Sequence, residues 1–168
     1  MATVKQVLQS KRDATVHTID AEASVHEAVL LMSKAQVGAL VVLVGDAVCG
    51  VVTERDYARK VILMDRASRT TTVCQIMTAP VLSVRLGTST EDCMALMTRH
   101  RIRHLPVMEA DRLVGMVSIG DMVRQLIDEQ QFAIEQLERY VRGPHDDAPT
   151  CALTRRSMIP QTLETRFS

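Results

Sequence analysis

The sequence places a hydroxyl residue and a carboxylate three positions apart at two sites. Thr53 and Asp56 follow one short apolar run, and Ser118 and Asp121 follow a similar run 65 positions later. At this spacing the two side chains can form hydrogen bonds with the first amide groups of a helix. They can also contact a nucleotide, because a helix start attracts phosphate and a carboxylate accepts hydrogen bonds from ribose hydroxyls. One copy alone is explained by helix capping without any ligand.

These motifs lie in an internal repeat with a constant offset of 65 residues. The segment 16–61 aligns with the segment 81–126 without a gap, and Gly50 and Gly115 open the two motifs. A half of this size buries too little apolar surface to be stable alone. The duplication therefore predicts two copies that pack against each other, bringing the two helix starts together.

Each copy predicts the order β-α-β-β-α. Ser24 with Glu27 forms a predicted capping box, which Ser89 with Asp92 repeats before the second amphipathic helix. Turns at Gly45-Asp46 and Ala110-Asp111 each join two apolar strands. The expected opening strands are His17–Ile19 and Leu82–Val84. Because a proline cannot donate to a ladder, Pro106 predicts an edge strand or a broken ladder.

Composition lowers the expectation of several classes of function. Lysine plus arginine and aspartate plus glutamate number 20 each, and aromatic residues are only 2% of the chain. A neutral, aromatic-poor protein lacks the field and the stacking surfaces that nucleic-acid binding uses. No apolar run is long enough to span a bilayer, and no secretory signal pattern opens the chain. The four cysteines have no metal-ligand spacing. We expect a cytoplasmic protein that binds neither nucleic acid nor membrane.

The repeats resemble a tandem pair of CBS domains, also called a Bateman module, of the bacterial stand-alone kind. The residues that carry the resemblance are Gly50-Val-Val-Thr-Glu-Arg-Asp, Gly115-Met-Val-Ser-Ile-Gly-Asp, Val73-Cys-Gln-Ile-Met-Thr and Arg103-His-Leu-Pro-Val. The resemblance covers about residues 4 to 128. It implies an α+β fold of two β-α-β-β-α repeats packed about a pseudo-two-fold axis.

The resemblance also implies a regulatory adenine-nucleotide sensor. The ligand would be AMP, ADP, ATP or NAD(H), with no catalytic cofactor, and a partner protein would read the ligand state. By position, Asp56 and Asp121 would accept the ribose hydroxyls, with Thr53 and Ser118 beside the phosphate. The other candidate nucleotide-binding residues are Thr18, Gly38, Ala39, Arg55, Arg59, Ser83, Arg103, His104 and Gly120. Of the equivalent pairs Gly38-Ala39 and Arg103-His104 only the second carries charge, which predicts two unequal sites.

Domain boundaries follow from the repeat and the pattern after it. We expect the first repeat with its linker at 4–66, the second repeat at 67–128, a C-terminal helix at 129–143 and a mobile tail at 144–168. Ile127, Ile134, Leu137 and Val141 form one apolar stripe on that helix. Such a stripe predicts a homodimer that pairs through its helices.

Two other classes of function stay open at this stage. A ligand-free structural dimerisation module would keep the capping residues and bind no nucleotide. An enzyme would need a metal or a general base beside the phosphate, and no such constellation is visible, so we do not predict an enzyme. We expect Asp121→Ala to weaken ribose-containing ligands and leave the fold intact, on the premise of an exposed carboxylate.

Overall fold

The computed structural model describes residues 2–11 and 13–142, so the predicted tail at 144–168 lies outside the described residues. A first compact unit extends to Gln130 and contains both repeats. Its elements are α1 (Val4–Ser10), β1 (Thr18–Asp20), α2 (Val25–Ala35), β2 (Ala39–Val44), β3 (Ala47–Thr53), α3 (Glu54–Tyr57) with a π-helical turn (Ala58–Ile62), a 3-10 turn (Val73–Gln75), α4 (Thr90–His100), β4 (His104–Glu109) and β5 (Arg112–Ser118). The last helix, α5 (Ile119–Arg142), begins in this unit.

Repeat 1 forms a three-stranded sheet in the order β1-β2-β3. β1 pairs in parallel with β2, and β2 pairs antiparallel with β3. The hairpin turn is Gly45-Asp46, where Gly45 has a φ of 58° that a glycine adopts without strain. This confirms the predicted β-α-β-β-α order and the position of its turn.

Repeat 2 has the same order but a shorter sheet. β4 pairs antiparallel with β5, and the opening strand consists of one parallel bridge between Val84 and Val107. In repeat 1 the Val41 amide donates to the His17 carbonyl at 3.1 Å. The equivalent donor in repeat 2 would be Pro106, which has no N–H. The proline therefore breaks the ladder after one bridge, as the sequence predicts.

The helices α2 and α4, which occupy equivalent places in the two repeats, begin at their predicted caps. The Ser24 hydroxyl accepts from the Glu27 amide at 3.2 Å, and the Ser89 hydroxyl accepts from the Asp92 amide at 3.0 Å. The apolar face of α2 is fully buried at Val25 and Ala28. α4 buries Cys93 and Met97 in the same way. The spacing of the apolar residues thus predicts the buried face of each helix, and the capping residue predicts where the helix begins.

Each repeat completes its hydrophobic core with a segment that comes from elsewhere in the chain. Val4 and Val7 of α1 lie in the core of repeat 2, whereas Val73 and Ile76 lie in the core of repeat 1. We call residues 73–78 the crossing segment. The backbone bridges Thr3–Ser89 and Thr72–Ser24 attach the two segments in equivalent ways. The two repeats are joined by this exchange of segments.

A glycine in each repeat leaves room for a side chain of the exchanged segment. A Cβ atom on Gly115 would lie 2.7 Å from Cδ1 of Leu8, and a Cβ on Gly50 would overlap the Met77 side chain. Leu8 and Met77 occupy matching positions in their segments, 69 residues apart. The two glycines of the sequence motifs therefore have a packing role that no ligand requires.

The substitution Gly115→Ala tests this role. The added methyl group would overlap Leu8, so the free energy of unfolding should fall by about 1–3 kcal/mol, the usual range for overpacking. Gly87→Ala is the matched control, because nothing lies within 4 Å of a Cβ placed there. Denaturant unfolding measures both changes. An equal loss of unfolding free energy in Gly115→Ala and Gly87→Ala would contradict the packing role. So would a loss in Gly115→Ala that simply adds to that of Leu8→Ala in the double variant.

Candidate functional site

A cleft of about 420 Å³ opens between the two repeats, within the first compact unit. This volume lies in the range of sites that hold small molecules. Its lining residues are Gly38, Val51, Thr53, Glu54, Arg55, Asp56, Arg59 and Lys60 from repeat 1, Thr78, Pro80, Val81 and Leu82 from the connection, and His100, Arg101, Ile102, Arg103 and His104 from repeat 2. Both halves of the chain therefore contribute to one cavity.

The charges that line this cleft favour an anion. Four arginines line it, and they are Arg55, Arg59, Arg101 and Arg103. Lys60 also lines it and pairs with Asp56, which leaves Glu54 as the remaining lining carboxylate. Guanidinium groups bind phosphates through several parallel hydrogen bonds. The excess of arginines over carboxylates thus suits a phosphorylated ligand.

One of these arginines bridges the two repeats. The Nη1 atom of Arg55 donates to the carbonyl of Arg101 at 2.9 Å, across the cleft. Arg101 is the residue directly after α4 and caps its C-terminus, with a φ of 55°. This bond ties the width of the cleft to the start of α3.

The carboxylate of Asp56 lies at the start of α3 and is buried. Its Oδ2 atom accepts from the Thr53 amide at 3.0 Å and from the Thr53 hydroxyl at 2.6 Å, as a capping box requires. Its Oδ1 atom accepts from Lys60 Nζ at 2.8 Å and from the Thr78 hydroxyl at 3.3 Å. Helix capping therefore occupies one oxygen of the predicted ribose acceptor, and the other faces a lysine and a threonine.

The second carboxylate, Asp121, has a similar set of partners. Its Oδ2 atom accepts from the Ser118 amide at 2.6 Å, from the Ser118 hydroxyl at 2.8 Å and from Lys11 Nζ at 2.8 Å. Burial alone would raise the pKa of this carboxyl, but the hydrogen bonds from Lys11 and Ser118 outweigh it and hold the pKa below its ordinary value of 3.8.

These contacts correct the expectation that Asp121 is a dispensable exposed carboxylate. Its side chain is only 20% exposed and is paired with Lys11. The same group caps α5 through Ser118. Removing it must therefore affect the stability of the fold.

His104 lies where the two repeats meet. It is half-buried, and its Cε1 atom is 3.9 Å from the position that a Cβ atom on Gly38 would take. Burial lowers the pKa of His104 below 6.5, although the charges of Asp121 and Glu54 act in the opposite direction. A neutral imidazole at neutral pH follows, and it can accept or donate one hydrogen bond.

The structure brings together about half of the predicted site residues. Those that line the cleft are Gly38, Thr53, Arg55, Asp56, Arg59, Arg103 and His104. The residues that do not line it are Thr18, Ala39, Ser83, Ser118, Gly120 and Asp121. Lys60 was missed, although its position four residues after Asp56 is the spacing of a helical ion pair. Thr78 and Arg101 carried no comparable signal.

Other chemistry has little support in the described residues. Among residues 2–11 and 13–142, no group of three histidines, cysteines or acidic residues could hold a metal ion. Across the same part of the chain, no helix combines the length and apolar character needed to cross a membrane. Burial raises the pKa of the Cys49 and Cys93 thiols, which disfavours their reactive thiolate forms.

Comparison with protein families identifies both repeats. The family model for the CBS domain matches residues 4–63 and again residues 73–128. A curated relative, the mitochondrial CBS domain-containing protein CBSX3 of Arabidopsis thaliana, is 38% identical over 149 residues, which are 84% of this chain and 72% of that protein.

Solved structures show the same fold. A protein with CBS domains from Burkholderia ambifaria, named as a candidate signal-transduction protein, is 49% identical with a TM-score of 0.75, covering 77% of this chain and 96% of that one. A hexameric CBS-CP12 protein from bloom-forming cyanobacteria is 28% identical with a TM-score of 0.65, covering 73% of this chain and 70% of that one.

The substitution Asp121→Ala should lower the free energy of unfolding by about 1–2 kcal/mol at neutral pH, because a cap and a half-buried ion pair are lost together. Since the pKa of Asp121 is lowered by folding, its stabilisation is complete above 3.8 and is lost as the pH falls through the lower pKa of the folded state. The difference between wild type and variant should therefore shrink in acid.

Thermal unfolding at several pH values measures this difference. Asp128→Ala is the control, because Asp128 is exposed on the same helix. Equal stability of Asp121→Ala and wild type at neutral pH would show that the contacts of Asp121 contribute nothing.

Proposed function

The chain belongs to the CBS-domain family, and on that premise we propose that its inter-repeat cleft binds an adenine nucleotide and that the protein passes its ligand state to an effector protein. Pairs of CBS domains are generally regulatory or signal-transduction modules, and stand-alone pairs are typically non-catalytic. The candidate ligands are AMP, ADP, ATP and NAD(H), as regulatory ligands rather than catalytic cofactors.

The observation that carries this proposal is a cleft that combines four arginines with the carboxylate of Asp56. A nucleotide offers matching groups at matching ends. Its phosphates would contact Arg55, Arg59 and Arg103, and its ribose hydroxyls would donate to Asp56. The apolar side chains of Val51 and Ile102 would cover the adenine.

The two carboxylates do not serve the same ligand, since only Asp56 lines the cationic cleft. Asp121 and Gly120 stand outside its lining. Where repeat 1 has Arg55, repeat 2 has Gly120, which supplies no charge. We therefore infer that the two sites differ in affinity for phosphate, with the stronger site at Asp56.

The contact that spans the cleft offers a way to transmit binding. A phosphate that attracts the Arg55 guanidinium competes with the Arg101 carbonyl for its N–H groups. A change in this bond would alter the spacing of the two repeats, which a partner protein can detect as a population shift. An effector would then bind one of the two spacings more tightly.

We also propose that the protein is a homodimer that pairs through α5. Ile127, Ile134 and Val141 recur at seven-residue intervals, and Leu137 lies between the last two. All four are exposed, from 51% at Ile134 to 82% at Val141. A seven-residue repeat with β-branched residues at one position and leucine at the other is typical of paired helices. The hexamer among the related structures supports assembly in the family.

The dimer is tested by Ile134→Lys. A lysine in the stripe would place a charge where the second helix packs, so the mass measured by light scattering should fall from dimer to monomer. Gln136→Lys is the control, because Gln136 is exposed on the same turns of α5 outside the stripe. A dimer that persists in Ile134→Lys, or a monomeric wild type, would contradict pairing through this face.

Calorimetric titration with AMP, ATP and NADH tests the nucleotide site. We expect at least one ligand to bind, with affinity about tenfold weaker in Asp56→Asn and in Arg103→Gln, because each loses one charged contact of about 1.4 kcal/mol. Arg112→Gln should leave binding unchanged, since Arg112 is exposed and does not line the cleft.

A wild-type protein that releases no heat with any of these nucleotides would contradict the proposal. It would favour a ligand-free dimerisation module, for which the capping contacts of Asp56 and Asp121 already suffice. Chemical conversion of a bound nucleotide would instead favour an enzyme.

A further inference from the structure

We propose that Lys60 competes with the ribose hydroxyls for the carboxylate of Asp56, so that nucleotide binding weakens the hold of Lys60 and Asp56 on the crossing segment. This inference rests on the proposed function and adds a mechanism for its regulation. It assigns to Lys60 a role that opposes ligand binding, although a lysine in a phosphate site would ordinarily be expected to favour it.

The competition follows from the number of acceptor positions on the carboxylate. Two oxygens offer about four lone-pair directions. Thr53 occupies Oδ2 with its amide and its hydroxyl, and these bonds hold the first turn of α3. Lys60 and Thr78 occupy Oδ1 at 2.8 and 3.3 Å. Ribose hydroxyls can therefore reach this carboxylate only by replacing the donors on Oδ1.

Lys60 connects that carboxylate to the crossing segment. Its Nζ atom also donates to the carbonyl of Ile76 at 2.6 Å and to that of Met77 at 3.4 Å. All three N–H groups of the ammonium thus have acceptors, and two of the acceptors lie in the crossing segment. The same segment supplies Thr78 to Oδ1. Both donors that a ribose would displace are therefore linked to residues 76–78.

In the second repeat a lysine also pairs with the carboxylate, but on Oδ2, the oxygen that Ser118 contacts as well. There Lys11 Nζ contacts Asp121 at 2.8 Å and also donates to the carbonyl of Met116 at 2.9 Å. Lys11 comes from the chain after α1, whereas the position equivalent to Lys60 is Gln125. A lysine thus joins each carboxylate to the boundary of an exchanged segment, although the two lysines are not related by the repeat. Each carboxylate is therefore paired with a lysine, but the two lysines come from positions that are not equivalent in the repeats.

A ligand would rearrange these contacts without leaving a charge unpaired. Lys60 is 40% exposed and lines the cleft, so its ammonium can turn from Asp56 to a phosphate oxygen. The carbonyls of Ile76 and Met77 then lose their donor. The crossing segment, which fills the space beside Gly50 with Met77, becomes less firmly held. Ligand binding is thereby coupled to the contact between the repeats.

The test compares AMP with 2′,3′-dideoxy-AMP, which carries the same phosphate and adenine but lacks the two hydroxyls. The dissociation constant of dideoxy-AMP divided by that of AMP measures how much the hydroxyls strengthen binding. The attraction between Lys60 and phosphate is common to both ligands and cancels in this ratio. In Lys60→Met only the neutral Thr78 hydroxyl still competes for Oδ1, so this ratio should rise about threefold or more over wild type. Lys34→Met is the control, because Lys34 is exposed and does not line the cleft, and it should leave the ratio unchanged.

A ratio that stays constant or falls in Lys60→Met, while AMP still binds, would overturn the competition and leave the proposed function standing. Absence of binding of AMP, ATP and NADH alike in wild type would contradict the proposed function itself, and the competition with it.

Hydrogen exchange of the wild-type protein gives a readout that needs no variant. The amides of Met77 and Thr78 donate to the carbonyls of Val73 and Val51 at 2.9 and 2.8 Å. Saturating AMP should speed their exchange if the hold on the segment is weakened. Slower or unchanged exchange in the AMP complex would overturn the inference.

Discussion

The exchange of segments between the two repeats is the constraint on which the rest of the structure depends. Neither repeat closes its core alone, because Val4 and Val7 belong to one core and Val73 and Ile76 to the other. Gly115 and Gly50 leave the space that Leu8 and Met77 fill. The repeats are thereby held face to face, and the cleft between them exists because their cores are shared.

The cleft turns ordinary helix capping into a candidate binding site. A hydroxyl and a carboxylate at a helix start satisfy backbone amides whether or not a ligand is present. At Asp56 the same carboxylate also faces a cavity rich in arginine, and it is paired with Lys60. A structural role and the proposed ligand-binding role therefore fall on one side chain. This superposition makes it possible for a small ligand to affect the packing of the fold.

Local patterns in the sequence predicted the fold well. Repeats, capping pairs and turns are determined by neighbours, so Ser24, Gly45 and the break at Pro106 could be read from the sequence directly. Long-range contacts could not. The partner of Asp121 is Lys11, which is distant in the sequence and reaches it through the exchanged segment. The assumption of an exposed carboxylate therefore failed there, because exposure depends on tertiary packing.

Sequence alone predicted two unequal sites, from Arg55 and the Arg103-His104 pair, but it did not indicate which carboxylate faces a cleft. The structure separates them, since the described cleft includes Asp56 but not Asp121 among its lining residues. The connection between the repeats also lines this cleft, through Thr78, Pro80, Val81 and Leu82. Nothing in a single repeat indicates which of the two sites the connection will join.

The most direct measurement is an NMR titration of the full chain with AMP, ATP and NADH in turn, following the backbone amides of both repeats. The account predicts that the largest changes fall on residues 53–60 and 100–104, which face each other across the cleft. Changes confined to other surfaces, or none at saturating nucleotide, would contradict a nucleotide site between the repeats.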